Sequence, residues 1–103
     1  MEIGSKIKQF RTEKSETLHN VSMGTDIDTT LLSKIERGER FPTIEQLQRL
    51  SKYFNASESD LMSMLISEKI IKTYGVNKTT YTAIQIVNEK LSSYITEAQK
   101  QSL

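Results

Sequence analysis

Asp28-Thr29-Thr30-Leu31-Leu32-Ser33-Lys34-Ile35-Glu36-Arg37-Gly38 reads as a short helix with a marked start and a marked stop. Asp28 is an N-cap by chemistry, because its carboxylate can accept the free N–H groups of a first turn. Gly38 suits the position just past the last turn, where the chain goes left-handed and a Cβ is penalised. Between them Leu32 and Ile35 form a small apolar stripe, while Thr29, Thr30, Ser33 and Lys34 fall on the other side. Hydroxyls can donate or accept at base edges, and a lysine can meet guanine or phosphate, so this face suits a nucleic-acid groove. It serves equally well as the solvated side of an ordinary surface helix. The flanking sequence has to decide.

Upstream, residues 3–14 carry Ile3, Ile7 and Phe10 at i, i+4 and i+7, which predicts a first helix with one apolar face. Lys6, Lys8 and Lys14 fall on its polar side. Arg11 falls beside the apolar stripe, where a charge needs a partner. A second helix is expected over 17–25, with Thr17 as N-cap and Leu18, Val21, Ser22 and Thr25 inward. Its valine, serine and threonine are weak helix formers, so packing must hold it. Gly24-Thr25-Asp26-Ile27 makes the turn into the quoted helix, with Ile27 as its apolar plug.

Downstream, Pro42 imposes an extended or turn conformation on Phe41. Thr43 and Gln46 then have the spacing of a capping box. The helix they open is expected to run to about Tyr53, with Ile44, Leu47, Leu50 and Phe54 on one face and Asn55-Ala56 at its end. Ser57 and Asp60 repeat the box before a fifth helix carrying Leu61, Met62, Met64 and Leu65, which Ile70, Ile71 and Tyr74 can prolong. Gly75-Val76-Asn77-Lys78 breaks the pattern, and Thr79 or Thr80 is the expected cap of a last helix. In it Ile84, Val87, Leu91, Tyr94 and Ala98 recur at spacings of 3, 4, 3 and 4, a heptad seam of about two repeats. So short a seam must pack on its own domain, on a partner chain, or on both. Residues 99–103 should fray.

Composition narrows the function classes. The chain has 103 residues, 36% of them hydrophobic and 26% charged, enough for one domain with an appendage. Neither a membrane span nor a secretory signal is expected from its apolar runs or from the start Met-Glu-Ile-Gly-Ser. Without cysteine there is no disulfide or thiolate site, and a cytoplasmic location is expected. One histidine makes a structural zinc site implausible, so no metal and no cofactor are expected. His19 reads as a surface residue. Tyr53, Tyr74, Tyr81 and Tyr94 read as core or interface residues, being scattered over separate helices rather than arrayed on a sheet. No constellation of nucleophile, base, metal or phosphate loop points to an enzyme. A net charge of +1 weighs against a large nonspecific nucleic-acid binder but permits a small reader with its cations on one edge.

The order of these helices, with Leu-Leu-Ser-Lys-Ile-Glu-Arg-Gly-Glu-Arg-Phe-Pro-Thr from Leu31 to Thr43, resembles the Xre-like helix-turn-helix family. The resemblance runs from about Ile3 to Met62. It implies an all-α, five-helix, phage lambda repressor-like DNA-binding domain over residues 1–66. Residues 67–103 then form a C-terminal helical extension for dimerisation through Ile84, Val87, Leu91 and Tyr94. In that family the second helix of the motif lies in the major groove. Carried over, Thr29, Thr30, Ser33 and Lys34 become groove-facing, with Thr30 offering a methyl to thymine and Lys34 reaching guanine. Thr17, Arg37 and Arg40 would hold phosphates. Arg11 would pair with Glu36 as a structural ion pair, whose rupture costs roughly 3–5 kcal/mol if the site is buried.

Three departures stand out. Leu18 occupies a position where many members have a DNA-touching glutamine. Asp26 replaces the usual turn glycine, although aspartate tolerates left-handed angles. Leu31 sits where small polar residues are common, either packing on the first helix or meeting a thymine methyl. Asp26 and Glu39 find no role and would weaken nonspecific binding. The function expected is a sequence-specific, double-stranded-DNA-binding transcriptional regulator, a homodimer on an inverted repeat. The rival is an antitoxin-like or regulatory protein-interaction module that holds its partner with the last helix.

Overall fold

Helix formation follows the capping chemistry along the chain. The computed structural model describes residues 2–102, with side chains described through residue 95. Among the described residues there are six helices and no strand: α1 (Glu2–Glu13), α2 (Leu18–Thr25), α3 (Thr29–Glu36), α4 (Ile44–Phe54), α5 (Glu58–Tyr74) and α6 (Lys78–Ser102). The fold is all-α, a lambda repressor-like domain of five helices with a C-terminal helix after it. The chain divides into two compact units, Met1–Lys69 and Ile70–Leu103.

In the first unit α1 packs on α3 and α4, and α2 packs on α3 and α4. Ile3 and Ile7 of α1, Val21 of α2, Ile27 of the turn and Leu32 and Ile35 of α3 are buried together. Leu47, Leu50 and Phe54 of α4 and Leu61 and Leu65 of α5 complete that core. Phe10 stacks obliquely on Phe54 with ring centroids 5.6 Å apart. The one expected inward residue that fails is Ile44, which is 56% exposed. It lies in the first turn, at the fringe of a stripe centred between Leu47 and Phe54, beyond the reach of the neighbouring helices. The Thr43–Gln46 capping box is present in both directions, at 2.9 and 3.1 Å. Ser57 Oγ accepts the Asp60 N–H at 3.2 Å ahead of α5.

Two close approaches fix the packing. A Cβ on Gly4 would run into the carbonyl oxygen of Ile35, so the backbone of α1 lies directly on the end of α3. A Cβ on Gly24 would meet the ring of Tyr53, so α2 and α4 touch through that ring. The start of α1 is held from a distance: Glu68 of α5 accepts the Ile3 N–H at 2.7 Å, while its second oxygen is buried with no hydrogen-bond partner among the described residues.

In the second unit the cap differs from the expectation. Asn77 caps α6, rather than Thr79 or Thr80, because its short amide reaches both ways. Its Oδ1 accepts the Thr80 N–H at 2.8 Å and its Nδ2 donates to the Tyr74 carbonyl at 2.9 Å. Thr80, already inside the helix, donates its hydroxyl to the same carbonyl. Gly75 takes φ +84° between the helices. Along α6 the seam residues Ile84, Val87, Leu91 and Tyr94 are all exposed. Tyr81 and Ile95, also exposed, flank the same stripe at helical spacing and widen it. Ala98 and the fraying expected of residues 99–103 lie outside the residues whose side chains are described. Among the described residues, no helix is long and apolar enough to cross a membrane.

Candidate nucleic-acid interface

The presentation of α3 begins one turn upstream. Thr17 Oγ1 accepts the Asn20 N–H at 3.0 Å and opens α2, leaving its hydroxyl hydrogen free to donate elsewhere. At the other end Asp26 takes the left-handed conformation (φ 56°, ψ 37°) and gives its N–H to the Ser22 carbonyl at 2.9 Å. Aspartate thus stands in for glycine at this turn, and Ile27 plugs it at 2% exposure. Asp28 Oδ2 then accepts the Thr30 N–H at 3.1 Å, and α3 starts.

The last turn closes as a Schellman motif. Gly38, at φ 76°, donates its N–H to the Ile35 carbonyl at 3.1 Å, and Glu39 donates to the Lys34 carbonyl at 2.9 Å. Between these ends Leu32 and Ile35 are fully buried, while Thr30, Lys34 and Arg37 are exposed and Thr29 and Ser33 are half-buried. Leu31 packs against the core cluster. The outward row is therefore Thr30, Ser33, Lys34 and Arg37. Arg40 is exposed just beyond it, and Thr17 is exposed at the head of α2.

Arg11 and Glu36 stand behind this row. Arg11 Nε meets Glu36 Oε2 at 2.7 Å and Nη2 meets Oε1 at 2.9 Å, a two-pronged fork. Nη1 donates to the Glu16 carbonyl at 3.1 Å. The side chains are only 16% and 6% exposed. The Glu36 hydrogen bond raises the Arg11 pKa above its already high ordinary value. One guanidinium thus ties α1 to the end of α3 and to the chain entering α2.

Sequence reasoning missed the company Arg37 keeps. Its Nη2 and Nε donate to Glu39 Oε2 at 2.8 and 3.2 Å, and its Nη1 donates to Ser33 Oγ. The Arg37 hydrogen bonds hold the Glu39 carboxyl below the usual carboxylate range, with Lys34 adding its pull. The same bonds raise the Arg37 pKa. The signal was present as Arg-Gly-Glu, since a left-handed glycine between opposite charges folds one back on the other. Among the described residues no group of His, Asp or Glu could hold a metal ion.

A helix-turn-helix family model matches residues 7–61, just over half of the chain. The HTH-type transcriptional activator BcrR of Enterococcus faecalis is 33% identical over 63 residues, 61% of this chain and 31% of its own length. The chain thus spans about a third of that relative. The solved structure of SinR, a master regulator of biofilm formation, in complex with DNA is 33% identical with a TM-score of 0.55. The match covers 58% of this chain and 97% of the chain in that structure. A variant of the restriction–modification controller protein C.Esp1396I is 33% identical with a TM-score of 0.52, over 64% of this chain and 88% of its own.

Proposed function

We propose that this chain, which belongs to the helix-turn-helix family, is a sequence-specific, double-stranded-DNA-binding transcriptional regulator that works as a homodimer on an inverted repeat. The observation that carries the reading is the outward row of α3. Two hydroxyls, Thr30 and Ser33, stand outward with Lys34 and Arg37, and half-buried Thr29 adds a third hydroxyl beside them, while the opposite side of the helix is wholly committed to the core. Thr29, Thr30, Ser33 and Lys34 read base edges, with Lys34 on guanine and Thr30 against a thymine methyl. Thr17, Arg37 and Arg40 hold phosphates and set the register. Ser33, accepting from Arg37, keeps its own hydrogen, so it addresses an acceptor on the base.

One such module reads few bases, and two related by a twofold axis read half-sites about 34 Å apart. The exposed stripe of α6, through Ile84, Val87, Leu91 and Tyr94, supports that pairing. A 25-residue helix with so little burial is marginal alone and gains from a second copy. Residues 1–66 then read DNA and residues 67–103 assemble the dimer, in the cytoplasm.

The test is selection of bound sites from random duplex DNA at about 0.1 M salt, with sedimentation of the same sample. A symmetric motif with two half-sites, and a particle of twice the chain mass, are expected. Failure to enrich any motif refutes the proposal. Co-purification with an unrelated protein in fixed ratio would favour the interaction-module reading instead.

A further inference from the structure

We propose that Glu39 is a built-in phosphate surrogate: a carboxylate that occupies Arg37 until a DNA phosphate replaces it. The inference rests on the DNA-binding reading above and goes further, since it assigns an affinity-setting role to an acidic residue. Three observations support it. First, the carboxylate is placed by backbone geometry. Glu39 is the residue after the left-handed Gly38, and its N–H is fixed on the Lys34 carbonyl at 2.9 Å. In this motif that residue frequently carries an apolar side chain touching the one whose carbonyl it bonds. Here it carries an anion beside a cation, Lys34.

Second, the charge is wrong for the helix. The C-terminal end of α3 is the negative pole of its dipole and favours cations. Helix stability therefore gives no reason for a carboxylate there. Third, the guanidinium is occupied along its whole fork, as an anion site would occupy it. Arg37 presents Nε and Nη2 to one oxygen of Glu39 and Nη1 to Ser33. Both partners are about half exposed, at 55% and 54%, so the pair is screened and exchangeable rather than structural.

A DNA strand approaching α3 meets Arg37 already neutralised. Its phosphate must take the fork from Glu39, and the displaced carboxylate must move away from the polyanion. The cost falls on every duplex alike, so it lowers affinity without reading sequence. Binding then depends on base contacts and on the second subunit.

Glu39→Gln keeps the backbone bonds of the motif and removes the charge. Releasing one more counterion steepens the slope of log K against log salt by about 0.9 per subunit, which at 0.1 M is about eightfold in affinity for each subunit and about sixtyfold for the dimer. We expect that gain on a selected site and on an unrelated duplex, with unchanged helicity by circular dichroism. In an Arg37→Ala background, Glu39→Gln should gain less than about twofold, because the group it releases is gone. An equal gain in both backgrounds would mean only a general charge effect and would overturn the surrogate while leaving DNA binding intact. No gain in either background would overturn it too. If no variant, wild type included, binds any duplex, the DNA-binding reading falls and takes this one with it.

Discussion

Removing either partner of the Arg11–Glu36 fork should unfold the first unit more readily than any surface change. The magnitude follows from enclosure. Stripping one partner from a fully buried pair costs about 3–5 kcal/mol, because the other charge is left without compensation. Arg11 is 16% exposed and keeps the Glu16 carbonyl, so water and one acceptor soften the loss. We therefore expect about 2–4 kcal/mol for Glu36→Ala and a similar figure for Arg11→Met. A unit of this size has roughly 3–10 kcal/mol in total, so the loss is a large fraction of it. The corresponding fall in melting temperature is at least about 8 °C. Urea titrations with fitted slopes provide the assay. The Arg11→Met, Glu36→Leu double variant should be more stable than the two single losses added together, since no charge remains to be solvated. Single variants that each cost less than about 0.5 kcal/mol, or losses that simply add, would refute the reasoning.

Three other expectations follow. Gly4→Ala should lose about 1–2 kcal/mol despite alanine's better helix propensity, because the new methyl meets the Ile35 carbonyl and backbone cannot yield; Ser5→Ala, exposed next door, is the melting control. Lys34→Ala should relax preference at one base position in a site-selection assay, whereas Arg40→Ala should weaken all sequences alike; equal effects from both would undo the assignment. Tyr53 donates to Glu16 at 2.9 Å, which raises its pKa above the ordinary tyrosine value near 10. Its contribution to stability is thus complete below that value and lost as pH rises through the higher folded value. Urea midpoints measured from pH 9 to 12 should fall more steeply for the wild type than for Tyr53→Phe.

What the chain disclosed before folding was whatever depends on near neighbours. Asp28, Thr17 and the Thr43–Gln46 pair announce their helices, because a cap acts within three residues. The left-handed turn at Asp26 was legible through the resemblance, as an aspartate where the family has glycine. The exposure of Ile44 depends on how far the neighbouring helices extend, which periodicity along one helix cannot report. Asn77 reads as a breaker, because a residue that ends one pattern and caps the next looks like neither. Glu68 capping α1 across 65 residues has no local signal. Arg11 showed only that it needed a partner; the resemblance, not its neighbours, suggested which. The bond from Arg37 to Glu39 was the nearest miss. In the sequence Arg37 reads as a phosphate ligand and Glu39 as an anion without a role, so neither points to the other.

The glycine contact at residue 4 bears on how such a chain changes its target. With the α1 backbone resting on the terminal carbonyls of α3, and the guanidinium of Arg11 clasping the same end, α3 is moored. It has little freedom to slide or tilt to suit a new base sequence. On the proposed reading, retuning falls to rotamers and substitutions at Thr29, Thr30, Ser33 and Lys34. A library confined to those four positions should yield altered readers while leaving the mooring, and so the melting temperature, nearly untouched.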